Sequence, residues 1–226
     1  MTDCLTPLYL YLDVETPGLY AEQGVLEVAW FASTDINELK PVILSRLNDD
    51  IDETRAYDEA VDYVKAMHTS SGLWKRLNDP IQRTPLHEID YEIWSMIHRH
   101  KGPVYLVGNS IRLDRAVLER WFPMVARVLH YRQIDITSVR LFLEANGLDT
   151  TTEVKVESTH VAGQDVLDSL NFARHLGELV TRPRAALREL DAELEGMLDS
   201  LDDHINQEDV AEQLTQLRAR IAEALS

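Results

Sequence analysis

Cysteine is nearly absent from this chain. Cys4 stands alone among 226 residues, so no internal disulfide can form; that fits a reducing compartment, and a cytoplasmic location is expected. Basic residues are scarce as well: 22 Lys and Arg face 39 Asp and Glu, a net charge of −17. This balance argues against tight binding of long duplex nucleic acid, where affinity comes from many cationic contacts to phosphate. It leaves room for a short nucleic acid held in a small pocket by metal ions. Long apolar runs are also missing. No stretch approaches the roughly 20 apolar residues of a membrane-spanning helix, so no membrane partner is expected. The apolar stretch at residues 8–12 lacks a basic flank and meets an acid at once, unlike a signal peptide. The apolar fraction of 45% is enough for a core, over a length suited to one domain and an appendage.

Three strand-like runs come first, at residues 8–14, 24–33 and 41–47, separated by turn residues such as Pro17, Gly18, Asp35 and Asn37. A helix is expected from Glu53 to Met67, and a short one from Gly72 to about Pro80. Thr84-Pro85 is a helix start, a hydroxyl cap followed by proline at the first helical position. Residues 104–107 read as a central strand, 112–122 as a helix, 133–135 as a short strand and 137–145 as a helix. The polar stretch 149–158 reads as a loop, and 161–180 as the last helix of the main domain. This order predicts a mixed sheet with helices on both faces.

Thr181-Arg182-Pro183 marks an expected boundary between a domain at 1–182 and a tail at 183–226. In the tail, Leu187, Leu190, Leu194, Met197 and Leu201 recur at spacings of three and four, and the pattern restarts after Asn206. Two helices forming an acidic hairpin are expected, either as a docked structural element or as a surface for self or another protein.

The chemistry gathers at a few points. The first run ends in Asp13-Val14-Glu15, and side chains two apart on a strand share a face. Two adjacent carboxylates repel and lose hydration, and a hard divalent cation compensates them well. The strand 104–107 leads through Gly108, Asn109 and Ser110 to Asp114 in the first turn of a helix. His160 precedes a helix whose first turn carries Asp165. Alone, each feature has a plain reading: a strand-end turn, a helix-start acid favoured by the macrodipole, a loop histidine.

Taken in order, Asp-x-Glu-Thr-x-Gly-Leu at 13–19 and His-x4-Asp at 160–165 resemble the DEDDh group of 3′→5′ exonucleases. The segments MHTSSGL, GNSIRLDRAVLERWFP and HYRQID resemble its oligoribonuclease branch, over roughly residues 8–180. The resemblance implies an α/β, ribonuclease H-like fold with a five-stranded mixed sheet of order 3-2-1-4-5, flanked by helices, the C-terminal helical hairpin extending it. It implies that Asp13, Glu15, Asp114 and Asp165 hold two divalent cations, Mg2+ or Mn2+, with His160 as general base. It implies that Leu19 wedges between terminal bases and that Tyr63 and His68 border the base pocket, Tyr63 standing where the family has tryptophan. Ser110 and Arg132 are implied to grip a 5′-phosphate, and Tyr131 and Arg132 to act across a homodimer interface. Thr137 replaces a family serine, and the stretch after Asp135 lacks the family's Lys-Glu-Leu. The substrate implied is short single-stranded RNA. Two alternatives stay open: an exonuclease for longer RNA or single-stranded DNA, and a metal- or oligonucleotide-binding protein without catalysis.

Overall fold

The computed structural model describes residues 5–150, 160–200, 212, 215–217, 219 and 220. The chain begins with β1 (Leu8–Glu15), which pairs antiparallel with β2 (Glu27–Ser33), itself antiparallel to β3 (Leu44–Asn48). Three helices follow: α1 (Glu53–Glu59), α2 (Asp62–Ser70) and α3 (Leu73–Leu77). β4 (Arg83–Thr84) and α4 (Leu86–Ile97) lead to β5 (Val104–Gly108), which lies parallel to β1. Then come α5 (Arg112–Trp121), α6 (Pro123–Val128), β6 (Leu129–Asp135), α7 (Ile136–Ala145) and α8 (Ala162–Ser200).

The sheet order is β4-β3-β2-β1-β5-β6. The expected order is present, but the sheet has six strands rather than five. The extra edge strand β4 runs parallel to β3, with Leu47 opposite Arg83 and Asn48 opposite Thr84. Two residues are too few to show a strand period. The Arg83 side chain holds this edge instead, donating to the carbonyls of Leu77, Asn48, Asp49 and Ile51. The helix expected over residues 53–67 is two helices, because Ala60 and Val61 are extended at their junction.

β1 is central and buried on both faces. Leu8, Leu10, Leu12 and Val14 enter the main core with Trp30, Ile89, Ile93, Leu106, Val117 and Phe122. On the other face Tyr11 stacks on Phe31 at 4.8 Å, and Asp13 and Glu15 follow it along the strand. β5 exits at Gly108. A Cβ there would lie 2.7 Å from Ile111 Cγ2 and 3.1 Å from the Leu12 carbonyl oxygen, so only glycine lets the turn into α5 pass this close to β1.

The chain divides into two compact units, 1–174 and 175–226. α8 runs without a break through Thr181-Arg182-Pro183, where a boundary was expected. The turn expected near 204–207, the loop at 151–159 and the leucine seam of the tail lie outside the described residues and side chains. Within the second unit Leu217 is buried and Arg220 pairs with Glu193. Among the described residues no helix is long and apolar enough to cross a membrane.

Candidate active site

A cavity of about 530 Å3 opens at the C-terminal end of β1, lined by Asp13, Glu15, Asn109, Ser110, His160 and Asp165 among others. Ligand sites favour such strand ends because the loops that follow are free to vary on a rigid sheet. One ligand atom each from Glu15, His160 and Asp165 lies within 4.8 Å of the others. This is a donor set of carboxylate oxygens and one imidazole nitrogen. The carboxylates suit a hard divalent cation, and the imidazole stands beside them.

Asp114 sits behind this wall. It is buried in the first turn of α5, and its Oδ1 accepts from the Val14 N–H at 3.0 Å. The bond fixes the strand between Asp13 and Glu15 against α5. Burial pushes the Asp114 carboxyl up to about 7, although the Val14 N–H acts in the opposite direction. Glu15 is pushed up to about 8 by burial first, then by Asp165, Glu27 and Asp114, with Arg76 opposing. Asp13 is raised well above its ordinary value by burial and then by Asp114, Glu15 and Asp165. Such crowding of desolvated acids is unfavourable unless a cation or proton joins them.

Among the described residues, the non-glycine residues with positive φ are Ser110 and His160, each at 52°, and both line the cavity. Backbone in this region is uncommon outside glycine and gathers at functional sites. The Ser110 hydroxyl bonds the Thr137 hydroxyl at 3.1 Å, and its N–H donates to Asp135 Oδ1. That same oxygen caps α7 by accepting from the Ser138 N–H.

The remaining expected substrate residues lie outside the cavity lining. Leu19 is 74% exposed, Tyr63 70% and Tyr131 74%. Arg132 is exposed on β6, its guanidinium 5.3 Å from the Tyr131 ring centre. His68 differs most from expectation. It is fully buried behind Glu15, with Nε2 3.0 Å from the Thr16 carbonyl and Nδ1 3.8 Å from Glu15 Oε2. Burial lowers its pKa. Trp74 packs edge-on against it at 5.5 Å.

Other lining residues carried no motif. Asp168, Ser169 and Phe172 join the wall from α8. They stand three, four and seven residues after Asp165, so helical spacing alone puts them on its face. Arg140 stands three after Thr137 on α7 and reaches the lining in the same way. Asn109 donates to Ser169 Oγ at 2.9 Å, tying the exit of β5 to α8.

The fold, a six-stranded mixed sheet flanked by helices, is one shared with exonucleases of known structure. Structural likeness extends to the zinc-bound exonuclease I–single-stranded DNA complex of Escherichia coli (TM-score 0.53, 14% identity, 82% of this chain and 45% of that one). It extends also to the Mg2+- and Mn2+-bound Pop2p of Schizosaccharomyces pombe (TM-score 0.50, 13% identity, 77% and 83%). The chain spans about half the length of the exonuclease I structures it matches.

By sequence the chain is similar to oligoribonucleases. It is 28% identical to that of Marinobacter nauticus over 171 residues, covering 74% of this chain and 92% of the relative. It is 30% identical to that of Corynebacterium glutamicum over 139 residues, covering 58% and 60%. No protein-family profile matches the chain.

Proposed function

We propose that this chain is a metal-dependent 3′→5′ exoribonuclease that degrades short oligoribonucleotides to nucleoside 5′-monophosphates. The observation that carries the reading is the convergence of Glu15, His160 and Asp165 within 4.8 Å at the open end of β1, with Asp13 lining the same cavity. Asp13, Glu15, Asp114 and Asp165 are the residues to hold two divalent cations, Mg2+ or Mn2+. When bound, such cations supply Lewis-acid stabilisation of phosphate charge and make water a stronger acid.

The chain's own groups do the rest. His160, at the rim of the cavity, accepts the proton of the attacking water at a ring nitrogen while the terminal P–O3′ bond breaks. Leu19, exposed beyond the end of β1, wedges between bases, and Tyr63 offers an aromatic face for stacking. His68 supports that region from behind, through Thr16 and Glu15. Ser110 and Arg132 contact the 5′-phosphate of a short substrate. Tyr131 and Arg132, both exposed on β6, serve a homodimer in which each protomer completes the other's site.

The deciding assay uses 5′-labelled RNA of about two to seven nucleotides, with Mg2+ or Mn2+. Dinucleotides are expected to be consumed fastest, from the 3′ end. Equal rates on the longest RNA, or on DNA, sink the short-RNA reading. No cleavage of any substrate sinks the enzyme.

A further inference from the structure

The Glu15 ligand position has an unusual neighbour. Glu27 lies directly across β1–β2 from Glu15, so both side chains project from the same face of the sheet. Two like charges in register are unfavourable. Glu27 is 1% exposed and lines no part of the cavity. Both of its oxygens are occupied: Oε1 accepts from Arg76 at 2.6 Å and from the Ser45 hydroxyl at 2.7 Å, and Oε2 accepts from Arg76 at 2.8 Å. Arg76 comes from α3, three residues after Leu73 and two after Trp74, both of which are buried in one cluster, with Trp74 against His68. The two-pronged guanidinium–carboxylate geometry fixes direction as well as charge.

Resting on the reading of Glu15 as a cation ligand, we propose that the Glu27–Arg76 pair is a charge clamp behind that ligand. It sets the site's affinity for divalent cations and keeps Glu27 out of their coordination. The reasoning is electrostatic. The pair is neutral as a unit, so its two members act on a nearby cation with opposite signs. Removing Arg76 leaves a buried carboxylate beside Glu15, free to turn toward the cation. Removing the Glu27 charge leaves a guanidinium that repels it. In a partly buried setting one such charge shifts cation affinity by about tenfold. Both are positioning residues, since neither reaches the cavity.

The test is calorimetric titration of Mn2+ into the full chain without RNA, beside kcat and KM on a dinucleotide. Glu27→Gln is expected to weaken Mn2+ binding about tenfold, and Arg76→Gln to tighten it while kcat falls. The Glu27→Gln/Arg76→Gln double variant, neutral again, is expected to return to within about threefold of the parent affinity. Arg76→Lys keeps the charge but not the two-pronged geometry, and is expected to bind Mn2+ closer to the parent than Arg76→Gln does, which covers the case of a misfolded Arg76→Gln. A packing role predicts shifts of one sign in both single variants and no recovery in the double. That pattern, unchanged affinity in both, or an Arg76→Lys affinity as far from the parent's as that of Arg76→Gln would overturn the clamp. If the parent chain itself binds no Mn2+, the metal reading fails before the clamp is reached.

Discussion

Glu15 and Leu19 stand four residues apart and are held in opposite ways. Glu15 ends a strand paired on both sides, is buried, and has His68, Glu27 and Asp165 close by. Leu19 follows Pro17 and Gly18 out of the sheet and is 74% exposed. The acid half of the site is thus set by the core, and the half proposed to meet bases by surface side chains. Rigid placement suits groups that must hold charge at fixed distances. An exposed apolar side chain suits a group whose partner is the substrate itself. Gly18 marks the changeover. A Cβ there would run into the Gln23 side chain, which accepts from the Tyr20 N–H to close the turn.

Breaking the buried half should have the largest effect. Asp114→Asn keeps an oxygen for the Val14 N–H but removes a charge, so the fold should hold while turnover falls by about 10³-fold or more. A rate assay paired with a thermal melt checks this; substantial residual turnover contradicts the role of Asp114. His160→Ala should lower kcat by about 10²- to 10³-fold and leave Mn2+ affinity nearly unchanged, as expected of a base rather than a ligand. A matching loss of Mn2+ binding would recast His160 as a ligand.

The third effect separates the halves by pH. The Glu15 carboxyl is raised in the folded protein from 4.5 to about 8, so the folded state holds a proton that the unfolded chain has released. Stability therefore falls as pH rises between those values. Melts in a chelator should show Tm dropping from about pH 5 to about pH 8, and Mg2+ should remove most of the drop. A flat profile in chelator contradicts it. The smallest effect on the fold belongs to Leu19→Ala, which should leave stability within about 0.5 kcal/mol yet slow dinucleotide turnover about tenfold. An unaltered rate would remove Leu19 from the substrate site.

The two halves also differed in legibility. Asp13, Glu15, Ser110, His160 and Asp165 were readable because each sits next to an element end that the sequence marks, and the structure brings them to one cavity. His68 was readable as a motif member but not as a buried one. Its burial depends on α3, whose Trp74 closes over it. The Glu27–Arg76 pair was invisible because it joins residues 49 apart that share no periodicity. β4 escaped because its evidence is one arginine's set of carbonyl partners rather than a run of residues. Thr181-Arg182-Pro183 misled because proline inside a helix costs about 3 kcal/mol, which argues for a stop but does not compel one. α8 continues through it.

Asp135 Oδ1 receives both the Ser110 N–H and the Ser138 N–H. A single oxygen atom thus serves as the common rivet of the β5 exit loop and the α7 helix. The two cannot drift apart without breaking a bond at Ser110 or at Ser138. Any ligand that tilts α7 pulls on Ser110 directly. The β5 exit and the start of α7 therefore move as one plate, with its pivot at the end of β6.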